Sequence, residues 1–183
     1  MTALTLYDDS APYGLRGMLY DRDAITVALQ PANIRLEYWD AGAALPTDPA
    51  DADILAAYAT DVDRLKALGG YQSCDVIRMT PDHPQRTEMR AKFLSEHIHD
   101  DDEVRFFVEG SGLFYIRSGA IIHALECTAG DLILLPAGTR HWFDTGERPR
   151  FTAIRLFTTP DGWVARFTGD EIARNIPLYE GAS

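Results

Sequence analysis

Two histidines separated by one residue, His97-Ile98-His99, are the first feature of this chain that could do chemistry. On a β-strand, residues i and i+2 project from the same face, so both imidazoles would look to one side. Glu103 follows His99 at an even offset, which brings its carboxylate to the same face if the strand continues or bulges locally. Two neutral ring nitrogens and a carboxylate form a set suited to a divalent first-row metal: imidazole suits Fe, Ni, Zn and Cu, and the carboxylate balances charge. His141 is the expected fourth ligand, at the end of Gly130-x5-Pro136-x-Gly138-x2-His141, which reads as a strand, a turn and the start of another strand. A His-x-His alone is more often structural than metal-binding; Glu103 and the His141 pattern together reverse that weighting. Four protein ligands would leave an octahedral metal two adjacent open positions for a bidentate substrate, whereas a closed structural zinc site has none. His83 and His123 are read as non-ligands, and Asp100, Asp101 and Asp102 as a solvated turn, the alternative being a role in the outer field of the metal. Gly110-Ser111-Gly112 is no nucleophile elbow, and the chain has no phosphate loop.

The elements that must position these residues are mostly strands. Val104 to Val108, Gly112 to Arg117, Ala120 to Glu126, Leu132 to Leu135 and Phe151 to Phe157 are short β-rich runs, punctuated by glycines. Strands at this spacing predict an all-β sandwich or barrel. Cys74 to Met79 reads as a further strand, followed by a helix from about Gln85 to Ser95 with Pro84 in its first turn. Upstream, Leu4 to Tyr7, Ala24 to Leu29 and Ile34 to Trp39 read as strands. One helix is expected from the acidic start at Asp48, Asp51 and Asp53, through the stripe Ile54, Leu55, Tyr58, Val62 and Leu65, to the stop at Gly69-Gly70. The tail from Asp170 reads as a short helix ending near Pro177.

The 183 residues suit one domain, and 17 Lys+Arg against 28 Asp+Glu leave a net charge of −11. Counterion release needs a basic face, so nucleic acid and an anionic membrane are excluded as partners. The same acidity disfavours self-association, so a monomer is expected. Two cysteines, Cys74 and Cys127, are too few for a stapled secreted fold, and the start of the chain has no signal-peptide pattern. No stretch reaches the ~18 apolar residues of a membrane helix, so a cytoplasmic protein is expected.

The paired motifs His97-x-His99-x3-Glu103-x6-Gly110 and Gly130-x5-Pro136-x-Gly138-x2-His141 resemble those of the cupin superfamily. One departure is Thr145, where the second motif commonly ends in an asparagine that is not a ligand. The runs Gly70 to Ser73, Asp75 to Arg78, Lys92 to His99, Asp102 to Phe114, Pro136 to Asp144, Phe151 to Phe157 and Gly162 to Gly169 resemble the acireductone dioxygenase family. That resemblance implies a mainly β, single cupin-type antiparallel barrel (jelly roll) with a few flanking helices. Residues 1–70 would supply N-terminal strands and a helix packed on the barrel, 71–167 the metal-binding barrel and 168–183 a C-terminal tail. It implies one Fe(II) or Ni(II) per chain, held by His97, His99, Glu103 and His141. The implied reaction, in methionine salvage, joins O2 to 1,2-dihydroxy-3-keto-5-methylthiopentene. Iron would give the 2-keto acid 2-keto-4-methylthiobutyrate and formate, and nickel methylthiopropionate, carbon monoxide and formate. Arg105, two residues beyond Glu103 on the same face of a regular strand, would meet the substrate oxyanion with its guanidinium fork. Phe93, Phe143 and Trp163 are candidates for an apolar wall around the methylthio tail. A divalent metal, Glu103 and Arg105 sum to a local charge of about +2, which matches a dianionic enediolate despite the acidic chain. The alternatives are another cupin oxygenase or isomerase with the same four ligands, and a cupin sensor module. The sensor reading expects lost ligands or a fused DNA-binding segment.

Overall fold

A computed structural model describes residues 1–162 and 164–181. The chain starts with an antiparallel pair, β1 (Ala3–Asp8) and β2 (Leu15–Leu19). Helix α1 (Arg22–Leu29) and a 3-10 turn follow, then β3 (Arg35–Tyr38). Helices α2 (Asp51–Ala57) and α3 (Ala59–Gly69) lead to β4 (Ser73–Met79) and α4 (Arg86–Phe93). The remainder is almost entirely strand: β5 (His97–Ile98), β6 (Glu103–Ser118), β7 (Ile121–Thr128), β8 (Asp131–Leu135), β9 (Arg140–Asp144), β10 (Phe151–Phe157) and β11 (Arg166–Phe167). A 3-10 turn, Ile172–Asn175, stands where the tail helix is expected.

All the strand pairings among the described residues are antiparallel. One face is ordered β11-β5-β9-β6-β7-β1-β2. The other carries β4-β10-β6, with β8 on the opposite side of β6 and β3 beyond it. Strand β6 belongs to both. Its first half, Glu103 to Phe106, lies between β8 and β10, and its second half, from Ser111, between β7 and β9. The sequence reading splits this run into two strands at Gly110; the structure keeps one strand of 16 residues and bends it there. Val108 is the extra residue of a bulge against β10, since Thr152 faces Glu109 and Ala153 faces Phe107. Gly110 then takes φ +74, a conformation open to glycine and strained for other residues.

Alternation along β6 sorts its side chains. Val104, Phe106 and Val108 point outward, where Trp39, Ile54, Tyr58, Val62 and Leu65 cover them. Phe107 points inward to Phe114, Phe143, Phe151, Leu125 and Ile133. Glu103 and Arg105 share that inward parity, so charge is carried into the barrel by strand geometry alone.

Two expected elements differ. Ala24 to Leu29, read as a strand from its β-branched residues, is helical. The Asp21 side chain accepts the Ala24 amide at 2.9 Å as an N-cap, and Ile25 and Leu29, one turn apart, are both buried. The single helix expected from Asp48 to Gly69 is two helices broken at Tyr58 (φ −108, ψ 14). Tyr58 packs its ring on Phe106 at 5.0 Å and donates to the Ala41 carbonyl at 3.0 Å, which outweighs helical continuity. Gly70 at φ +70 ends α3 as expected.

Gly110→Ala tests the bend. A Cβ there would stand 1.8 Å from the Arg150 carbonyl oxygen, at a positive φ. We expect a loss of about 2–4 kcal/mol in urea denaturation, the sum of overpacking and backbone strain. Gly119→Ala, at φ +59 with nothing within 4 Å, should cost only about 1 kcal/mol. Equal losses would refute the steric argument.

Candidate metal centre

Strands β5 and β9 run side by side with His97 directly opposite His141. The expected strand carrying both His97 and His99 stops at Ile98, and His99 lies just past its end. The rings converge nevertheless, with centroids 5.0 Å apart for His97 and His99, 4.5 Å for His97 and His141, and 5.3 Å for His99 and His141. One ligand nitrogen from each lies within 4.8 Å of the others.

Each ring is oriented by a backbone carbonyl. His97 Nδ1 is 2.7 Å from Ser95 O, His141 Nδ1 is 2.8 Å from Thr139 O, and His99 Nδ1 is 3.1 Å from Val164 O. A carbonyl only accepts, so each Nδ1 carries the proton and each Nε2 presents a lone pair. Burial lowers the pKa of His97, and that of His141 to about 3; both rings are neutral near pH 7. Three pre-oriented imidazoles, two of them held neutral by burial, fit a divalent cation in the way a protonated cluster would not.

Glu103, the first residue of β6, brings Oε2 to 3.5 Å from His99 Nε2. Its other oxygen accepts from Arg105 Nη2 at 2.7 Å. Burial works to raise the Glu103 pKa, but the charges of Arg105 and the nearby histidines hold it at about 2, so the group is anionic. Arg105 is itself buried, and burial lowers its pKa against the pull of Glu103. Its guanidinium lies over the Phe143 ring at 4.6 Å and the Phe114 ring at 5.0 Å. Its Nε has no hydrogen-bond partner. An unused donor on a buried cation, aimed among aromatic faces, is the place where an anionic oxygen would be received.

These groups open on a cavity of about 180 Å³, walled by Phe93, Phe114, Phe143 and Phe167 and lined also by Arg155 and Lys92.

The family model described as the ARD/ARD′ family matches residues 6–165. The chain belongs to the ARD/ARD′ family. Relatives named acireductone dioxygenase include one from Parvibaculum lavamentivorans, 52% identical over 180 residues and covering 98% of both chains. Another, from Pseudomonas aeruginosa PAO1, is 47% identical over 98% of this chain and 99% of its own. A solved acireductone dioxygenase from Bacillus anthracis, with a cadmium ion in its active centre, superposes with a TM-score of 0.81 at 30% identity, over 91% of this chain and 98% of that one. This ARD/ARD′ family member is therefore a dioxygenase with the cupin fold, as the paired motifs implied for the fold and the longer runs for the activity.

Within this family member, the structure brings His97, His99, Glu103, His141, Arg105, Phe93 and Phe143 to one pocket. Trp163 lies outside the described residues. His83 and His123 are elsewhere: His83 accepts the Gln85 amide at 3.2 Å, and buried His123 bonds the Ile116 carbonyl at 3.3 Å. The three aspartates do not form the expected solvated turn. Only Asp100 is exposed, paired with Arg166 at 2.5 Å. Asp102 accepts from Tyr71 Oη and the Ala137 amide, both at 3.0 Å, and Asp101 is buried among hydrogen-bond donors. Backbone amides satisfy two of these carboxylates, and an amide leaves no residue-type signature to read.

Sequence reasoning missed Arg155. It faces Arg105 in the register of β10 and β6, lines the pocket, and is held by Asp75 through bonds of 2.9 and 2.6 Å. The available signal was a lone charge in the otherwise uncharged run Phe151 to Phe157.

Proposed function

We propose that this chain oxidises 1,2-dihydroxy-3-keto-5-methylthiopentene with O2 in methionine salvage, using one Fe(II) or Ni(II) held by His97, His99, Glu103 and His141. The observation that carries this reading is the convergence of three buried histidines, each with its Nδ1 proton committed to a carbonyl, beside an anionic glutamate. When bound, the metal supplies a Lewis acid and a template for a chelating enediolate.

The chain's own residues do the rest. Arg105 holds Glu103 with one nitrogen and keeps Nε for a substrate oxyanion. Phe93 and Phe143, edge to face at 6.2 Å, wall the cavity against water and offer an apolar seat for the methylthio tail, with Trp163 assigned to the same role. Arg155 adds a second cation to the lining, so the anionic enediolate would meet two guanidinium groups in a chain of net charge −11. We assign 71–167 as the metal-binding barrel, 1–70 as the part packed on it and 168–183 as the tail. We further propose a cytoplasmic monomer acting on small molecules, with no nucleic acid or membrane partner. Both cysteines are free thiols, and among the described residues no helix is long and apolar enough to cross a membrane.

The test is anaerobic reconstitution with Fe(II) or Ni(II), then exposure to O2 and the acireductone. Enediol absorbance should fall with either metal, formate should appear with both, and carbon monoxide with nickel only. Absorbance that persists with both metals would overturn the proposal.

A further inference from the structure

Two of the three histidines take their Nδ1 acceptor from the chain two residues back, just ahead of their strands: Ser95 for His97 and Thr139 for His141. His99 takes its acceptor from Val164, 65 residues along the chain. The proton position of one histidine therefore depends on where Val164, on the connection between β10 and β11, lies.

That connection is tied at both ends. At its start stands Asp101, 6% exposed. Asp101 Oδ2 accepts the backbone amides of Thr158 at 2.7 Å and Thr159 at 3.1 Å, and Oδ1 accepts the Thr158 hydroxyl at 2.5 Å and the Asp102 amide at 2.9 Å. The chain then passes so close that a Cβ on Gly162 would stand 2.4 Å from Asp101 Oδ2. Two turn bonds, Gly162 N to Thr159 O at 3.2 Å and Val164 N to Asp161 O at 3.0 Å, carry it on to the carbonyl that receives His99. At the far end β11 pairs with β5, and Thr168 donates its amide to Glu96 O at 3.0 Å and its hydroxyl to Glu96 Oε1 at 2.7 Å. Between the two anchors the segment presents Ala165 and Phe167 to the pocket.

We propose that Asp101 is a positioning residue of the metal centre: by holding residues 158–162 it places the Val164 carbonyl that keeps the His99 proton on Nδ1 and leaves Nε2 open. In the sequence Asp101 is one of three consecutive aspartates, and only the fold singles it out. The physical reason is local. A neutral imidazole without an Nδ1 acceptor prefers its proton on Nε2, the nitrogen that must be bare to bind a cation. The inference rests on His99 being a metal ligand.

Two variants test it, Asp101→Asn and Thr158→Val. Asparagine turns an amide NH2 toward donors that need an acceptor; valine removes only the Thr158 hydroxyl. In the metal-free protein, side-chain 15N shifts should show His99 moving from Nδ1–H toward Nε2–H while His97 and His141 stay unchanged. Affinity for Ni(II) alone, by chelator competition, should weaken about tenfold in D101N and less in T158V. A merely structural role would lower the melting temperature without moving one histidine's proton against the other two. If D101N does not fold, T158V decides on the same two readouts. Unchanged His99 shifts with unchanged Ni(II) affinity would overturn the positioning role. His99→Ala binding Ni(II) as tightly as the parent would instead remove the ligand reading, leaving the proton-position result standing.

Discussion

His141→Ala is expected to lose bound metal and, with it, all measurable turnover. His141 is 2% exposed and sits directly opposite His97 across the β5–β9 pair. Its Nε2 has no alternative supplier among the described residues, because His123 and His83 are committed elsewhere. A site reduced from three imidazoles to two loses far more than an outer partner would, and outer partners already cost about 10–100-fold in affinity. We therefore expect Ni(II) affinity to fall at least about 100-fold, read by metal analysis after dialysis and by chelator competition. The fold should survive. His141 stays neutral when buried, so its removal strands no charge, and the cost is that of a cavity lined in part by Phe114, whose ring lies 6.5 Å away. Retention of a full equivalent of metal with native activity would refute the assignment.

Arg105→Met is expected to reduce kcat by at least about 100-fold even when excess metal keeps the site filled. Methionine fills the volume and removes both the bond to Glu103 and the free Nε. Arg105→Lys should recover little, because a point charge cannot hold Glu103 and receive an oxyanion in fixed directions at once. The metal-free variant carries a second signature. In the parent, Glu103 titrates at about 2 in the fold, below its ordinary value of 4.5. A depressed carboxylate adds stability that is fully present above the unfolded pKa and is lost as pH falls from about 4.5 toward 2. Removing Arg105 deletes the largest charge holding that pKa down, so burial then raises it. Metal-free R105M should be destabilised most at neutral pH, and its deficit relative to the parent should shrink on acidification. The check is urea denaturation at pH 7 and near pH 4. A deficit independent of pH would show that Arg105 acts through packing on Phe114 and Phe143 alone.

Much of the site was legible because its parts are short-range. His97, His99 and Glu103 lie within seven residues of chain, and Glu103 and Arg105 share a face by strand parity, with Arg105 Nη2 2.7 Å from the Glu103 carboxylate. The strand Phe151 to Phe157 and the helix stop at Gly70 follow from local patterning and a positive φ. Less legible was anything in which two local signals compete. Ile25, Thr26 and Val27 favour a strand by side-chain shape, yet the Asp21 cap and the burial of Ile25 with Leu29 make a helix. The glycines at 110–112 look like a chain break, yet Gly110 bends one continuous strand from one sheet into the other, and Gly112 leaves room for the Phe143 ring, which would lie 2.2 Å from a Cβ there.

By itself the sequence determined which side chains could bind a metal and that strands would carry them, because residue type and two-residue periodicity are properties of the chain alone. Only the tertiary structure decided how those side chains are held. The Val164 carbonyl on His99, the Thr158 and Thr159 amides on Asp101 and the Ala137 amide on Asp102 are backbone groups brought together across 35 to 65 residues. Every residue but proline offers the same amide and carbonyl, so their use is set by where the chain passes and not by which residue passes there.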